Sequence, residues 1–365
     1  MSAIPEKDKE KDKEQRIRVG ITHGDINGIG YEVIIKTLQD PRLMETYTMI
    51  VYGSSKVASY HRKTLNIPDF NFNLVKKADL AHPRRPNIIN IVEDEVKIDL
   101  GKSTPIAGEL SLLSLEMCIH DLLSHNIDII VTAPINKENI QSPGFTFPGH
   151  TEYLAQKAGV SDYLMLMVSN TVRIGVITGH ISLDKVTSTL TQDLVIRKIN
   201  IMNKSLMRDY GILKPRIAVL AINPHAGDNG LIGNEDTTIL KPAIEKAYLD
   251  QTLVFGPYPA DGFFGAGTFH QFDGILAVYH DQGMIPFKLL SFDEGVNFTA
   301  GLPFVRTSPA HGTAYEIAGK NEASPEGFRN AVFLGCEIFT HRQEFDELLA
   351  NQLNAKPVEP ESPQQ

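Results

Sequence analysis

The sequence predicts an α/β protein with a mixed, largely parallel sheet, on three observations. Short apolar runs of strand length alternate with segments of helical period along most of the chain. One run, Ile275–Tyr279, has the character of a buried strand and stops at the polar cluster His280-Asp281-Gln282-Gly283, where open α/β sheets place their ligands. With 365 residues and 42% hydrophobic content, the chain can bury a sizeable core, divided between two lobes.

In order, Ile17–Thr22 reads as a strand, His23–Gly30 as a glycine-rich turn, and Tyr31–Leu38 as a helix. The turn has neither the spacing of a G-x-G-x-x-G dinucleotide fingerprint nor the Gly-Lys-Ser/Thr of a Walker loop. Met49–Gly53 is a second strand, with a helix from Ser54-Ser55. Residues 66 to 107 give only short β-like pieces and a Pro83-Arg84-Arg85-Pro86 break. Glu109–Ser124 has helical spacing, Asp128–Val131 is a buried strand, and Asn136-Lys137-Glu138 suits the cap of a short helix. Thr151 is the expected N-cap of a helix over Tyr153–Ala158. Tyr163–Val168 and Val172–Thr178 form a hairpin. A helix over Thr191–Tyr210, a strand over Arg216–Ala221, a helix over Glu235–Tyr248 and a strand over Leu253–Phe255 follow. Beyond Ile275–Tyr279, His311-Gly312-Thr313 is expected to open a helix. No fixed-period repeat is present.

Composition excludes several classes. A formal charge of −9 and a pI near 5.7 argue against a nucleic-acid or membrane-surface partner, so an anionic ligand needs a local basic pocket. Two cysteines, Cys118 and Cys336, fit a reducing cytosol and rule out a disulfide framework. No run is long enough to cross a bilayer and no signal-peptide core opens the chain. Residues 1–15 read as a disordered leader and 351–365 as a disordered tail. Cytoplasmic is the expected location.

Three strand ends carry a histidine beside small residues: His180, His225 and His280. Singly, each suits an ordinary polar loop. Together they match the three-protein-ligand pattern of a catalytic divalent-metal site, since neutral imidazoles suit zinc and related ions. A second group, His150, Thr151, Lys288, Asn297 and Arg306, holds the donors that a phosphate or carboxylate pocket requires; surface charge and turn polarity account for it equally well by spacing alone.

The separated motifs Gly24-Asp25…Gly28-Ile29-Gly30…Glu32, Gly149-His150-Thr151-Glu152, Asn223-Pro224-His225-Ala226-Gly227, Tyr279-His280-Asp281-Gln282-Gly283, Gly295-Val296-Asn297 and Gly301-Leu302-Pro303-Phe304…Arg306-Thr307-Ser308 occur in one order. In these the chain, from Arg18 to about Val332, resembles the 4-hydroxythreonine-4-phosphate dehydrogenase family of pyridoxal phosphate biosynthesis. His311-Gly312-Thr313-Ala314…Ile317-Ala318-Gly319-Lys320 is similar, more distantly, to the adenine-side loop of isopropylmalate and isocitrate dehydrogenases. The chain departs from the family at His23, Ile26-Asn27 and Tyr31, where Met, Pro-Ala and Pro are usual, and at Gly179-His180-Ile181-Ser182, where Thr-His-Leu-Pro is usual. The first group is expected near the place where substrate or cofactor is read.

The resemblance implies a two-lobed isopropylmalate dehydrogenase-like fold with the active site in the interlobe cleft at a dimer interface. Residues 16–135 with 301–350 would form the NAD-side lobe, and 136–300 the metal-binding and dimerising lobe. It implies His180, His225 and His280 as ligands of one divalent metal (zinc, magnesium or cobalt), with one ligand from the partner of a homodimer. His150, Thr151, Lys288, Asn297 and Arg306 would bind the small phosphorylated substrate, and His311, Gly312, Thr313 and Lys320 the cofactor, NAD or NADP. Asp261 or Lys288 would assist proton transfer. The implied reaction is oxidation of 4-phosphooxy-L-threonine. The alternatives are a dehydrogenase of threonate or erythronate 4-phosphate with the same fold, and a non-catalytic metal- or nucleotide-binding protein.

Overall fold

The apolar runs pair into one twelve-stranded sheet in a computed structural model that describes residues 16–351. In chain order the strands are β1 (Arg18–Thr22), β2 (Thr48–Gly53), β3 (Asn73–Val75), β4 (Asn87–Asn90), β5 (Ile129–Thr132), β6 (Leu164–Val168), β7 (Arg173–Val176), β8 (Ile217–Leu220), β9 (Val254–Tyr258), β10 (Gly274–Ala277), β11 (Val296–Ala300) and β12 (Val305–Pro309). They lie side by side as β3-β4-β2-β1-β5-β12-β11-β6-β7-β10-β8-β9. Strands β2, β5, β6, β8 and β10 are buried along their whole length, which is why they read as continuous apolar runs rather than alternating ones.

All pairings are parallel except β12–β11, β11–β6 and β6–β7. Those three reversals turn the sheet round at its middle. The carboxyl ends of β5 and β12 therefore face one edge, and those of β7, β8 and β10 face the other. In the central strands Asn297 stands opposite both Ser308 and Met167, and Thr299 opposite Met165. With the two-residue period of a strand, Arg306, Ser308, Asn297, Met167 and Met165 share one face. That face is the floor of the candidate site.

Three local expectations are corrected. Asn136-Lys137-Glu138 opens no helix; the Asn136 Oδ1 accepts from the backbone N–H groups of Glu138 (2.8 Å) and Asn139 (3.2 Å), closing an Asx-type turn. The helix expected from Tyr153 spans His150–Lys157 with Gly149 as its N-cap, so Thr151 lies inside the first turn and caps nothing. His311-Gly312-Thr313 leads into a single 3₁₀ turn, Tyr315–Ile317, because Ala314 takes a left-handed conformation (φ 44°) that no α-helix can extend through. Two long helices, His280–Ser291 and Glu326–Ala350, had no counterpart in the reading of the sequence. The expected leader, 1–15, and all but the first residue of the expected tail, 351–365, lie outside the described residues.

Candidate active site

A cavity of about 230 Å³ lies over the floor formed by β12, β11 and β6. Segments following several strands converge on it. Ala133 to Lys137 follows β5, Ala310 to Gly312 follows β12, and His180 and His280 approach from the opposite edge after β7 and β10. Met284 and Lys288, one helical turn apart on His280–Ser291, line it, as do Met165 and Met167.

Arg306 is 2% exposed. Its Nε and Nη2 donate to Thr132 Oγ1 at 3.2 and 2.7 Å, and Nη2 lies 3.3 Å from His150 Nδ1. Burial lowers the guanidinium to about 10, still charged at neutral pH. Burial first, then Arg306 and Lys137, holds His150 well below the ordinary imidazole range, so the ring is neutral. With Nδ1 facing a donor, its proton sits on Nε2. Four buried polar atoms at the cavity have no partner among the described residues: Arg306 Nη1, His150 Nε2, Asn297 Oδ1 and His311 Nε2. Buried groups left unpaired cost on the order of 1–3 kcal/mol each. A set converging on one cavity is what a polar ligand would satisfy.

The His180 and His280 rings lie 5.4 Å apart, centroid to centroid. Each has a carboxylate at Nδ1: Glu152 for His180 at 3.5 Å and Asp281 for His280 at 2.6 Å. Carboxylates on Nδ1 orient imidazoles and leave Nε2 available for a metal. The donor set therefore fits a divalent ion, but two imidazoles do not complete it. Among the described residues, no group of three or more His, Cys, Asp or Glu is placed to hold a metal.

The cavity thus gathers His150, Thr151, His180, His280, Lys288, Asn297, Arg306, His311 and Gly312. Thr313, Lys320, Asp261 and His225 do not line it. Thr313 packs against the glycine turn, its carbonyl accepting from Ile29 N at 3.1 Å. Lys320 is exposed, and Asp261 is exposed in the short helix Ala260–Gly265. His225 is exposed in a run of five left-handed residues, His225 to Asn229, with φ between 42 and 78°. Such a run is costly for residues with a Cβ. The residues just before it are fixed by the buried Asp236, whose carboxylate accepts from the Ile222 and Asn223 backbone N–H groups at 2.9 and 3.1 Å.

The reading of the sequence missed Lys137, Glu152, Thr132, Ser308 and the three methionines as lining residues. Lys137 was visible as a lone base just past a strand end, and Glu152 stands in the motif Gly149-His150-Thr151-Glu152. The methionines carry no signal that separates a wall from a core. The departures at His23, Ile26-Asn27 and Tyr31 were expected near the site, yet none lines the cavity. His23 stacks on Tyr31 (5.3 Å) and Tyr31 on His61 (5.1 Å), all three buried.

The family model described as "Pyridoxal phosphate biosynthetic protein PdxA" matches residues 45–335. The chain is 50% identical over 332 residues, 91% of each protein, to a 4-hydroxythreonine-4-phosphate dehydrogenase of Bacteroides thetaiotaomicron. It is 37% identical to a D-threonate 4-phosphate dehydrogenase of Salmonella typhimurium, covering 88% of this chain and 98% of that one. A solved 4-hydroxythreonine-4-phosphate dehydrogenase from Klebsiella pneumoniae superposes with a TM-score of 0.77 at 34% identity, covering 90% of this chain and 99% of that one.

Proposed function

The chain belongs to the pyridoxal phosphate biosynthetic protein PdxA family, and from that premise we propose that it oxidises 4-phosphooxy-L-threonine. NAD or NADP is the hydride acceptor. The 2-amino-3-oxo-4-phosphooxybutanoate formed is a β-keto acid and loses carbon dioxide to give 3-amino-2-oxopropyl phosphate. The observation that carries this reading is the cavity's set of unpaired donors, Arg306 Nη1 and His150 Nε2, beside Lys137 and Lys288 in a protein of net charge −9. A phosphorylated substrate satisfies all of them. Thr151 and Asn297 complete the polar wall, and the methionines shield it from water.

His180 and His280 are the residues of this chain that would hold a divalent ion, zinc, magnesium or cobalt, with Glu152 and Asp281 fixing their rings. His225 is the ligand offered to a second copy. When bound, such an ion acts as a Lewis acid on the substrate hydroxyl. Lys288 or Asp261 would assist the transfer of the hydroxyl proton. Asp261, outside the cavity of its own chain, acts like His225 across the interface. His311, Gly312, Thr313 and Lys320 bind the dinucleotide. A homodimer is supported by the exposed apolar side chains Leu183, Ile285, Leu289 and Phe292 close in sequence to His180 and His280. Residues 16–135 with 301–350 form one lobe and 136–300 the other, a division supported by the sheet order, in which β3 to β12 and β11 to β9 fall into those ranges. A cytoplasmic location fits the two buried free cysteines, and among the described residues no helix is long and apolar enough to cross a membrane.

A second reading, oxidation of threonate or erythronate 4-phosphate, is favoured by the Salmonella typhimurium relative. NADH formation measured side by side with 4-phosphooxy-L-threonine, D-threonate 4-phosphate and erythronate 4-phosphate decides between them. The proposal expects the amino substrate to be turned over best. Preference for either sugar acid would overturn it, and turnover of none would leave a binding protein.

A further inference from the structure

Asp25 takes no part in the chemistry above, yet it is fully buried and tied to both rims of the cavity. Its Oδ2 accepts from Tyr315 Oη at 2.7 Å and from Asn139 Nδ2 at 2.8 Å, while Oδ1 accepts from Asn27 N at 2.8 Å. Its own N–H donates to Pro134 O at 2.9 Å. The turn that brings it there needs Gly24, whose φ is 68° and whose α-carbon faces the Pro134 carbonyl too closely for any side chain. No cation pairs with the carboxylate among the described residues.

These partners come from loops with separate duties. Pro134 and Lys137 line the cavity on one side, and Asn139 holds the far end of that loop. His311 and Gly312 line it on another, and Tyr315 anchors the turn that follows them. Both donors to Oδ2 are neutral, and a carboxylate oxygen can accept from both, where an amide nitrogen in its place could not. Burial, then Asp25, pushes the Tyr315 phenol up to about 12, which keeps it a donor.

We propose that Asp25 is a positioning residue that sets the spacing of the substrate-side loop, Pro134–Asn139, against the dinucleotide-side loop, His311–Tyr315. The inference rests on the dinucleotide reading of that second loop. Three variants separate the two ties. Tyr315→Phe removes the phenol's tie to Asp25 on the dinucleotide side and should raise the KM for NAD and the fluorescence-titrated Kd for NADH about tenfold, without moving the KM for 4-phosphooxy-L-threonine. Asn139→Ala should do the reverse. Asp25→Asn should raise both, and its effect should not add to that of Tyr315→Phe in a double-mutant cycle. If Tyr315→Phe and Asn139→Ala lower Tm but leave every KM and Kd within twofold, Asp25 is merely structural and the inference is wrong. A wild-type protein that binds neither NADH nor NADPH overturns the dinucleotide reading itself, and this inference with it; that outcome shows before any variant is made.

Discussion

The turn after β1 and the cavity over β12 are both built from buried polar side chains, and they differ in where those groups find partners. At the turn, Asn27 donates to Lys102 O and Thr104 Oγ1 and accepts from Asp99 N, each at 2.9 Å. Tyr31 Oη accepts from Ser54 N at 2.8 Å, and His61 Nε2 meets Ile26 O at 2.8 Å. Left over there among the described residues are His23 Nδ1, Thr22 Oγ1 before it and Glu32 Oε2 after it. At the cavity, Arg306, His150, Asn297 and His311 each keep an unpaired atom. Residue type does not separate a polar core from a site; unspent hydrogen-bonding capacity that converges on one cavity does.

The largest expected effect strikes the cavity. Arg306→Ala should lower kcat/KM for the phosphorylated substrate by about a hundredfold or more, because a buried charge-assisted contact is lost. Unchanged kinetic constants would remove Arg306 from the substrate site and erase the contrast drawn above. Metal ligation comes next. A chelator should abolish activity, and one divalent ion should restore it. If His225 serves the partner's site, His225→Ala and His280→Ala proteins, each inactive, should regain roughly a quarter of wild-type activity when mixed as dimers, since half the dimers are hybrid and one of their two sites is whole. No recovery would mean that the three histidines do not share a site across subunits.

At the turn the expected effect is on stability rather than rate. Burial holds His23 and His61 at about 4, below the 6.5 of an exposed imidazole. The unfolded chain therefore binds more protons than the folded one between these values, so stability is intact above about pH 6.5 and falls as pH drops toward 4. The loss approaches roughly 3 kcal/mol for each ring. Urea melts across that window should show the slope, and His23→Met, the residue usual in the family, should flatten part of it, since His61, His150 and His311 are depressed as well. A slope unchanged by the substitution would show that these rings do not govern it. The smallest effect lies away from both regions. Thr191 caps the helix Gln192–Arg208 by accepting from Leu194 N, so Thr191→Ala should cost about 1 kcal/mol with kinetics untouched.

Much of this was legible without coordinates. The strands β1, β2, β5, β8 and β10 and the helices between them follow from apolar runs and period, which are local properties. The family's motifs pointed to His150, Lys288, Asn297 and Arg306, which the fold gathers into one cavity, and to His180 and His280, which face each other there. Other features were hidden. Strands β11 and β12 are short and sit among polar residues, so nothing local marks them as the floor of a site. The reversal of the sheet at β12, β11 and β6 depends on which strands pair, a choice made by long-range packing. Local signals misled at Thr151 and at His311-Gly312-Thr313, where side chains suited to a cap or a helix start are overruled by backbone already committed elsewhere.

The sequence by itself determined the α/β class, the family, and the identity of the polar side chains available for chemistry, because composition, period and motif order are written along the chain. Only the tertiary structure decided which of those side chains share a cavity, that His225 is displayed away from it, and that Asp25 ties its two rims together. Those facts depend on distances between residues more than a hundred positions apart, and on which hydrogen bonds remain unmade once the chain has folded.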